Sequence, residues 1–164
     1  MLIETADVDD AREILDLQKL AYQSEAAIHD DYTIPPLTQS LEEMEQDFQK
    51  QLFLKAVVDG RIVGSVRGYV RAGTCFVGRL IVHPDFQNQG IGTRLMNEIE
   101  SRFGQAQRYE LFTGQESERN LYLYDKLGYR PFRTERLTDK VTLVFMEKRA
   151  APDIEPAEPG NQRP

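Results

Sequence analysis

The stretch from Cys75 to Gly104 constrains the fold more than any other part of the chain. Its apolar run, Cys75 to Val82, is ended by Pro84, which lacks the amide donor that a sheet ladder needs. Asp85-Phe86-Gln87-Asn88-Gln89-Gly90-Ile91-Gly92-Thr93 then opens a helix with Ile91, Leu95, Met96, Ile99 and Phe103 on one side. A strand that turns over glycines into an amphipathic helix must lay that helix back against the sheet. The chain is therefore of the α/β class, in its mixed α+β form. Upstream, Leu52 to Val58 and Arg61 to Val70 are strand-like and are joined by Asp59-Gly60, a hairpin dipeptide. Ala72-Gly73-Thr74 turns the second run into the third. The glycine turn thus follows an antiparallel meander rather than a parallel crossover.

The remaining elements can be placed around this centre. Residues 2–5 read as a first strand, and Asp7 caps a helix with Ala11, Ile14, Leu17 and Ala21 on one face. From Ser24 to Gln39 periodicity is lost, and Pro35-Pro36 cannot continue a helix, so a long loop is expected. Ser40 caps a second helix with Leu41, Met44 and Phe48 at helical spacing. After the central helix come a strand, Tyr109 to Thr113, a short helix, Ser117 to Lys126, and two antiparallel strands, Tyr129 to Arg136 and Val141 to Lys148. Residues 1–149 are expected to form one domain. Residues 150–164 carry four prolines and almost no large apolar side chains, and are expected to be a disordered tail.

Composition narrows the function. No run approaches the ~20 apolar residues of a membrane span, and the acidic start resembles no signal peptide, so a cytoplasmic protein with no membrane partner is expected. Cys75 stands alone, and His29 and His83 form no zinc-like cluster, so neither a disulfide nor a metal is expected. The net charge of -7 argues against a nucleic-acid partner. Its distribution is uneven: residues 1–60 carry 14 acids and 4 bases, residues 61–149 carry 10 acids and 15 bases. That polarity suits a molecule that joins a polyanion to a cation, although faces that mix in three dimensions would give the same count.

The chemistry of the glycine turn is anion capture. The first amides of a helix have no intrahelical partners and the helix dipole adds partial positive charge, so a diphosphate can be held without a lysine. A Gly-x-Gly alone is also compatible with a helix that opens on glycine for conformational reasons. A Walker loop is excluded because Thr93-Arg94 follows the glycines, and a dinucleotide fingerprint lacks its third glycine and its parallel neighbour. Gln87-Asn88-Gln89-Gly90-Ile91-Gly92 instead resembles the Gln/Arg-x-x-Gly-x-Gly/Ala hallmark of the GNAT superfamily of N-acetyltransferases. The resemblance extends upstream through Leu80-Ile81-Val82-His83-Pro84 and downstream to Asn120-Leu121-Tyr122-Leu123-Tyr124-Asp125-Lys126-Leu127-Gly128-Tyr129.

This resemblance implies a mostly antiparallel sheet of six to seven strands flanked by about four helices and splayed at its two central strands. It implies acetyl-CoA as co-substrate, a primary amine as acceptor, and direct transfer through a tetrahedral intermediate. The coenzyme would be held by Leu80, Ile81 and Val82 along the splayed strand, by Gln87, Asn88, Gln89, Gly90, Ile91, Gly92 and Thr93 at the turn, and by Asn120 and Tyr124 on the later helix. By the same resemblance the Val82 amide would polarise the thioester oxygen and Tyr124 would be the general acid; Tyr124 could equally be a core tyrosine stacked between Leu121 and Leu127. Ser117 stands where many relatives have a pantetheine-contacting asparagine, and either it or Asn120 could fill that place. Glu25 is the candidate base by analogy, among the loop residues His29, Asp30, Asp31 and Tyr32. Arg79, Arg94 and Arg119 flank the coenzyme motifs and are candidates for phosphate pairing. The acceptor could be a small molecule or a protein amine, a homodimer is consistent with the resemblance, and a non-catalytic acyl-CoA sensor is the competing reading.

Overall fold

The computed structural model describes residues 1–150, so the tail expected over 150–164 lies outside the described residues from position 151 onward. Seven strands form one sheet in the order β1-β2-β3-β4-β5-β7-β6: β1 (Leu2–Thr5), β2 (Leu52–Val58), β3 (Arg61–Arg71), β4 (Thr74–Val82), β5 (Arg108–Gly114), β6 (Arg130–Arg136) and β7 (Thr142–Arg149). Every neighbouring pair is antiparallel except β4 and β5, which are parallel because the crossover helix α5 (Ile91–Arg102) joins them. Asp59-Gly60 turns β2 into β3 with both residues at positive φ, as the hairpin dipeptide required.

Helices cover both faces. α1 (Ala11–Ala21) and α4 (Leu41–Lys50) bury Ile14, Leu15, Leu17 and Met44 against Phe53, Ile62 and Ile81 on one face. On the other, α5 and α6 (Glu118–Lys126) pack Leu95, Met96, Ile99 and Tyr124 against Leu54, Val66, Val77 and Tyr109. The alternation of side chains along β4 assigns Ile81 to the first core and Leu80 and Val82 to the second. Ser40 caps α4 in a reciprocal box with Glu43, each backbone amide meeting the other's side chain. Asp7 caps a single 3-10 turn, Val8–Asp10, and α1 begins only after it.

The segment expected as an unstructured loop is helical in two places, α2 (Gln23–His29) and α3 (Pro35–Thr38). α2 continues α1 after a break at Tyr22 and buries only Ala26 and His29, so it has no apolar stripe to be read. In α3 the two prolines occupy the first helical positions, where a missing amide costs nothing.

Candidate active site

The site starts with a fault in the sheet. β3 and β4 are in register from Arg71–Thr74 to Arg67–Gly78, and resume at Ser65–Ile81 with one extra residue on β4. The bulge falls at Arg79, which holds the left-handed value φ 47°. Past it, β4 leaves β5: the parallel pairing covers only Thr74–Phe76 against Arg108–Glu110. A cleft of about 540 Å³ opens where the two strands part, floored by Gly78, Leu80, Leu111 and Thr113.

The backbone of β4 faces this cleft in a defined way. His83 donates its amide to the Val63 carbonyl at 2.8 Å, so the next opposing pair, Gly64 and Val82, is one whose backbone groups turn away from each other. The Val82 amide therefore points away from β3 and toward the gap, and the amide of Leu80 shares its direction by alternation. The Val82 side chain packs into the core beneath α5.

The glycine turn adjoins the same strand. His83 accepts the Asp85 amide on Nδ1 at 3.0 Å and caps a 3-10 turn, Pro84–Phe86. Asn88 and Gly90 then take positive φ, 62° and 81°, and α5 begins at Ile91. A Cβ at Gly90 would meet nothing within 4 Å, so the backbone angle rather than space requires glycine there. The first intrahelical bond runs from the Arg94 amide to Gly90, which leaves the amides of Ile91, Gly92 and Thr93 without helical partners. A Cβ on Gly92 would touch Leu80 and Leu123 at 3.6 Å, ordinary contact, in keeping with a motif that accepts alanine there. Arg119 at the start of α6 donates to the side-chain oxygens of both Gln87 and Asn88 and ties the turn to that helix.

Tyr124 and Asn120, on α6, line the cleft. Tyr124 is 6% exposed; burial, with Tyr22 and Glu25 nearby, pushes its phenol well above the usual tyrosine value. Opposite stands Glu25 of α2, whose Oε1 accepts from Ser117 Oγ at 2.7 Å and from Asn120 Nδ2 at 3.5 Å. Of the two residues offered for pantetheine contact, Asn120 lines the cleft, while Ser117 is 1% exposed and holds Glu25. His29 accepts the Glu116 amide on Nε2 at 3.2 Å, and its Nδ1 lies 3.0 Å from the Glu25 carbonyl. Its ring passes so close to Gly114 that a Cβ there would lie 2.3 Å from Cε1.

The other face of the cleft holds groups that sequence reading did not connect. Tyr22, at the break between α1 and α2, is half-buried and lines the cleft with Glu25, Arg67 and Arg79, and burial raises its phenol. Arg67 is 4% exposed, donates to Asp47 at 2.6 Å and to Gln18 Oε1 at 2.8 Å, and lies over the Phe53 ring. Arg79 turns to this face, onto Gln39 Oε1, and not to the glycine turn. No sequence pattern links these residues, since they are brought together from positions 18 to 79. Asp30 and Asp31 lie at the end of α2, where Asp31 accepts from Thr138 Oγ1 at 2.5 Å and Asp30 pairs with Lys140 at 3.3 Å. Cys75 is buried, and burial pushes its thiol up to about 12, which makes it an inert core residue. Among the described residues no group of three or more His, Cys, Asp or Glu side chains could hold a metal, and no helix is long and apolar enough to cross a membrane.

Comparison with known proteins agrees with this geometry. Residues 19–150 match the acetyltransferase (GNAT) domain family. A stretch of 133 residues is 26% identical to the UPF0157 protein YqkA of Bacillus subtilis, covering 81% of this chain and 38% of that protein. Another of 92 residues is 32% identical to Acetyltransferase ECA0875 of Pectobacterium atrosepticum, covering 53% of this chain and 63% of that one. The chain thus spans less than two thirds of the length of either relative. The solved structure of PaiA N-acetyltransferase from Thermoplasma acidophilum, in complex with coenzyme A, matches with a TM-score of 0.74 at 19% identity, over 91% of this chain and 99% of that one. At that identity the likeness speaks for the fold.

Proposed function

Because the chain belongs to the GNAT acetyltransferase family, we propose that it transfers the acetyl group of acetyl-CoA to a primary amine by direct attack. The observation that carries this reading is the parting of β4 from β5 with backbone amides turned into the gap and Tyr124 and Glu25 on its walls. The pantetheine arm lies in the gap, and the free amides of Ile91, Gly92 and Thr93 hold the pyrophosphate. The thioester oxygen then meets the Val82 amide, with Leu80 beside it. Negative charge grows on that oxygen as the amine attacks, so a donor fixed there lowers the barrier more than it lowers the ground state.

The amine must lose a proton before it attacks. Glu25 Oε1 is occupied by Ser117 and Asn120, which leaves Oε2 to accept that proton directly or through a water. The nitrogen–carbon bond forms, the tetrahedral intermediate collapses, and the carbon–sulfur bond breaks to release the thiolate. Tyr124 faces the sulfur as a hydrogen-bond donor. A phenol raised above 10 is a weaker acid than a thiol of pKa about 8.5, so it stabilises the thiolate by donation. The proton the thiol finally keeps comes from the ammonium nitrogen of the intermediate, relayed through the phenol.

Release of free thiol from acetyl-CoA across a panel of primary amines tests this reading. Turnover above hydrolysis with at least one amine is expected. Tight coenzyme binding with no turnover for any amine would instead assign the acyl-CoA sensor.

A further inference from the structure

The acceptor face of the cleft sets two cations, Arg67 and Arg79, beside the carboxylates Glu25, Asp47 and Glu110. Among the described residues the only acid bonded to either arginine is Asp47, which pairs with Arg67. Asp47 also accepts from Gln39 Nε2 at 2.7 Å, and Gln39 in turn presents Oε1 to Arg79 and to Gln18. Arg79 is therefore positioned by a neutral amide, and among the described residues no carboxylate lies within ion-pair range of it. Glu110, also on the cleft wall, is taken up by Arg108 at 2.8 Å. Arg67 feels its surroundings: burial and then the Arg79 cation pull its guanidinium down to about 10.

The backbone adds a second argument. Arg79 sits at the bulge with φ 47°, a value that glycine or asparagine adopts at less cost. An arginine held there in a strained conformation, with Gly78 beside it, directs a guanidinium into the cleft from the strand that would carry the thioester. Tyr22 and Glu25 line the same cleft, so cation, phenol and proton acceptor share it. Asp31 and Thr138 link the end of α2 to the β6–β7 turn, and Ile34, Leu137 and Val141 line that side of the cleft.

We propose that Arg79, fixed by Gln39, binds a carboxylate of the acceptor, so that the substrate is a small amine that also carries a carboxylate, of the amino-acid type. The planar fork of arginine matches a carboxylate with two parallel hydrogen bonds, and one face of Arg79 is already committed to Gln39. The acceptor's amine then lies toward Glu25 and the thioester. The acidic balance of residues 1–60 suggested a cationic acceptor; of those acids Glu25 and Asp47 reach the cleft, where Ser117 and Asn120 hold the first and Arg67 the second, and Arg79 is left without a carboxylate partner among the described residues. This inference rests on the amine-acetylation reading above.

Probes that differ only in the carboxylate test it: L-lysine against cadaverine, and L-phenylalanine against phenethylamine. Each pair is compared in the wild type, Arg79→Asn and Arg79→Lys, by thiol release from acetyl-CoA and by calorimetric binding to protein saturated with coenzyme A. Asparagine tolerates the left-handed backbone, and lysine keeps the charge without the fork. The wild type is expected to favour the carboxylate member of at least one pair by about ten- to a hundredfold, mainly in KM. Arg79→Asn brings that ratio close to one, and Arg79→Lys retains part of it. A preference for the decarboxylated members, a ratio that survives Arg79→Asn, or binding of no carboxylate probe overturns the proposal. So does a gain for phosphoethanolamine over ethanolamine with none for the carboxylates. Carboxylate-selective binding lost in Arg79→Asn, with no thiol released by any amine, upholds the anchor and sinks the acetyl-transfer reading. Turnover confined to decarboxylated amines does the reverse.

Discussion

Tyr124 and Glu25 face one cleft, yet their environments ask different things of them. Burial holds the Tyr124 phenol in its neutral form throughout the working range of an enzyme, so it donates without titrating. Replacing Tyr124 by Phe should lower kcat by about a hundredfold, at the modest end of general acid–base contributions, with little change in the KM for acetyl-CoA. Because the native phenol ionises well above 10, the kcat profile of the variant should be displaced downward with its shape unchanged up to about pH 10. A variant that loses an alkaline limb below that pH would show that the phenol titrates there. A rate equal to wild type at every pH would remove Tyr124 from the reaction. Glu25 is fixed by Ser117 and by the position of α2, which His29 ties to the turn after β5 by accepting the Glu116 amide. Gly114→Ala would put a methyl group 2.3 Å from the His29 ring and force α2 off the sheet. A loss of turnover with near-normal coenzyme affinity, measured by calorimetry, is the expected result.

At the scale of elements, the roof of the cleft depends on a few hydrogen bonds between distant segments. Asp31 accepts from Thr138 and Thr33, and these bonds, that of Thr138 first, hold its carboxyl well down, to about 2. A carboxylate whose pKa is lowered by folding stabilises the fold above its unfolded value of 3.8 and loses that contribution as pH falls toward 2. The difference in melting temperature between wild type and Asp31→Asn should therefore be constant from pH 5 to 7 and vanish over about pH 4 to 2. A gap that persists below that window would mean that the carboxylate charge is not what holds the roof. Sequence reading treated this segment as loop because α2 buries only two side chains and α3 is a single turn that starts on prolines. Neither leaves the apolar periodicity from which helices are read. β1 and the cap of α4 were legible to the residue, since strand alternation and a Ser-x-x-Glu box are local signals.

The molecule as a whole makes the cleft by an imbalance: each face of the sheet carries a packed core, yet its two central strands share only three paired rungs. Leu95 is fully buried beneath β3, with Cδ1 3.0 Å from where a Gly64 Cβ would lie. Leu95→Ala should cost about 2–5 kcal/mol of unfolding free energy in urea titration. A cost under about 1 kcal/mol would mean that this core repacks freely around the void.

The meander, the glycine turn, the crossover helix and hence the fold were legible before folding, because each is written in neighbouring residues. The amides at Ile91 to Thr93 follow from the turn alone, since any helix begins with unpaired donors. What surrounds the gap emerges from packing in three dimensions. Ser117 meets Glu25 across 92 positions, Arg67 meets Gln18 across 49, and Arg79 meets Gln39 across 40. No local pattern encodes such pairs: they arise when a bulge at Arg79 parts two strands and the burial of both cores brings remote polar side chains to one wall.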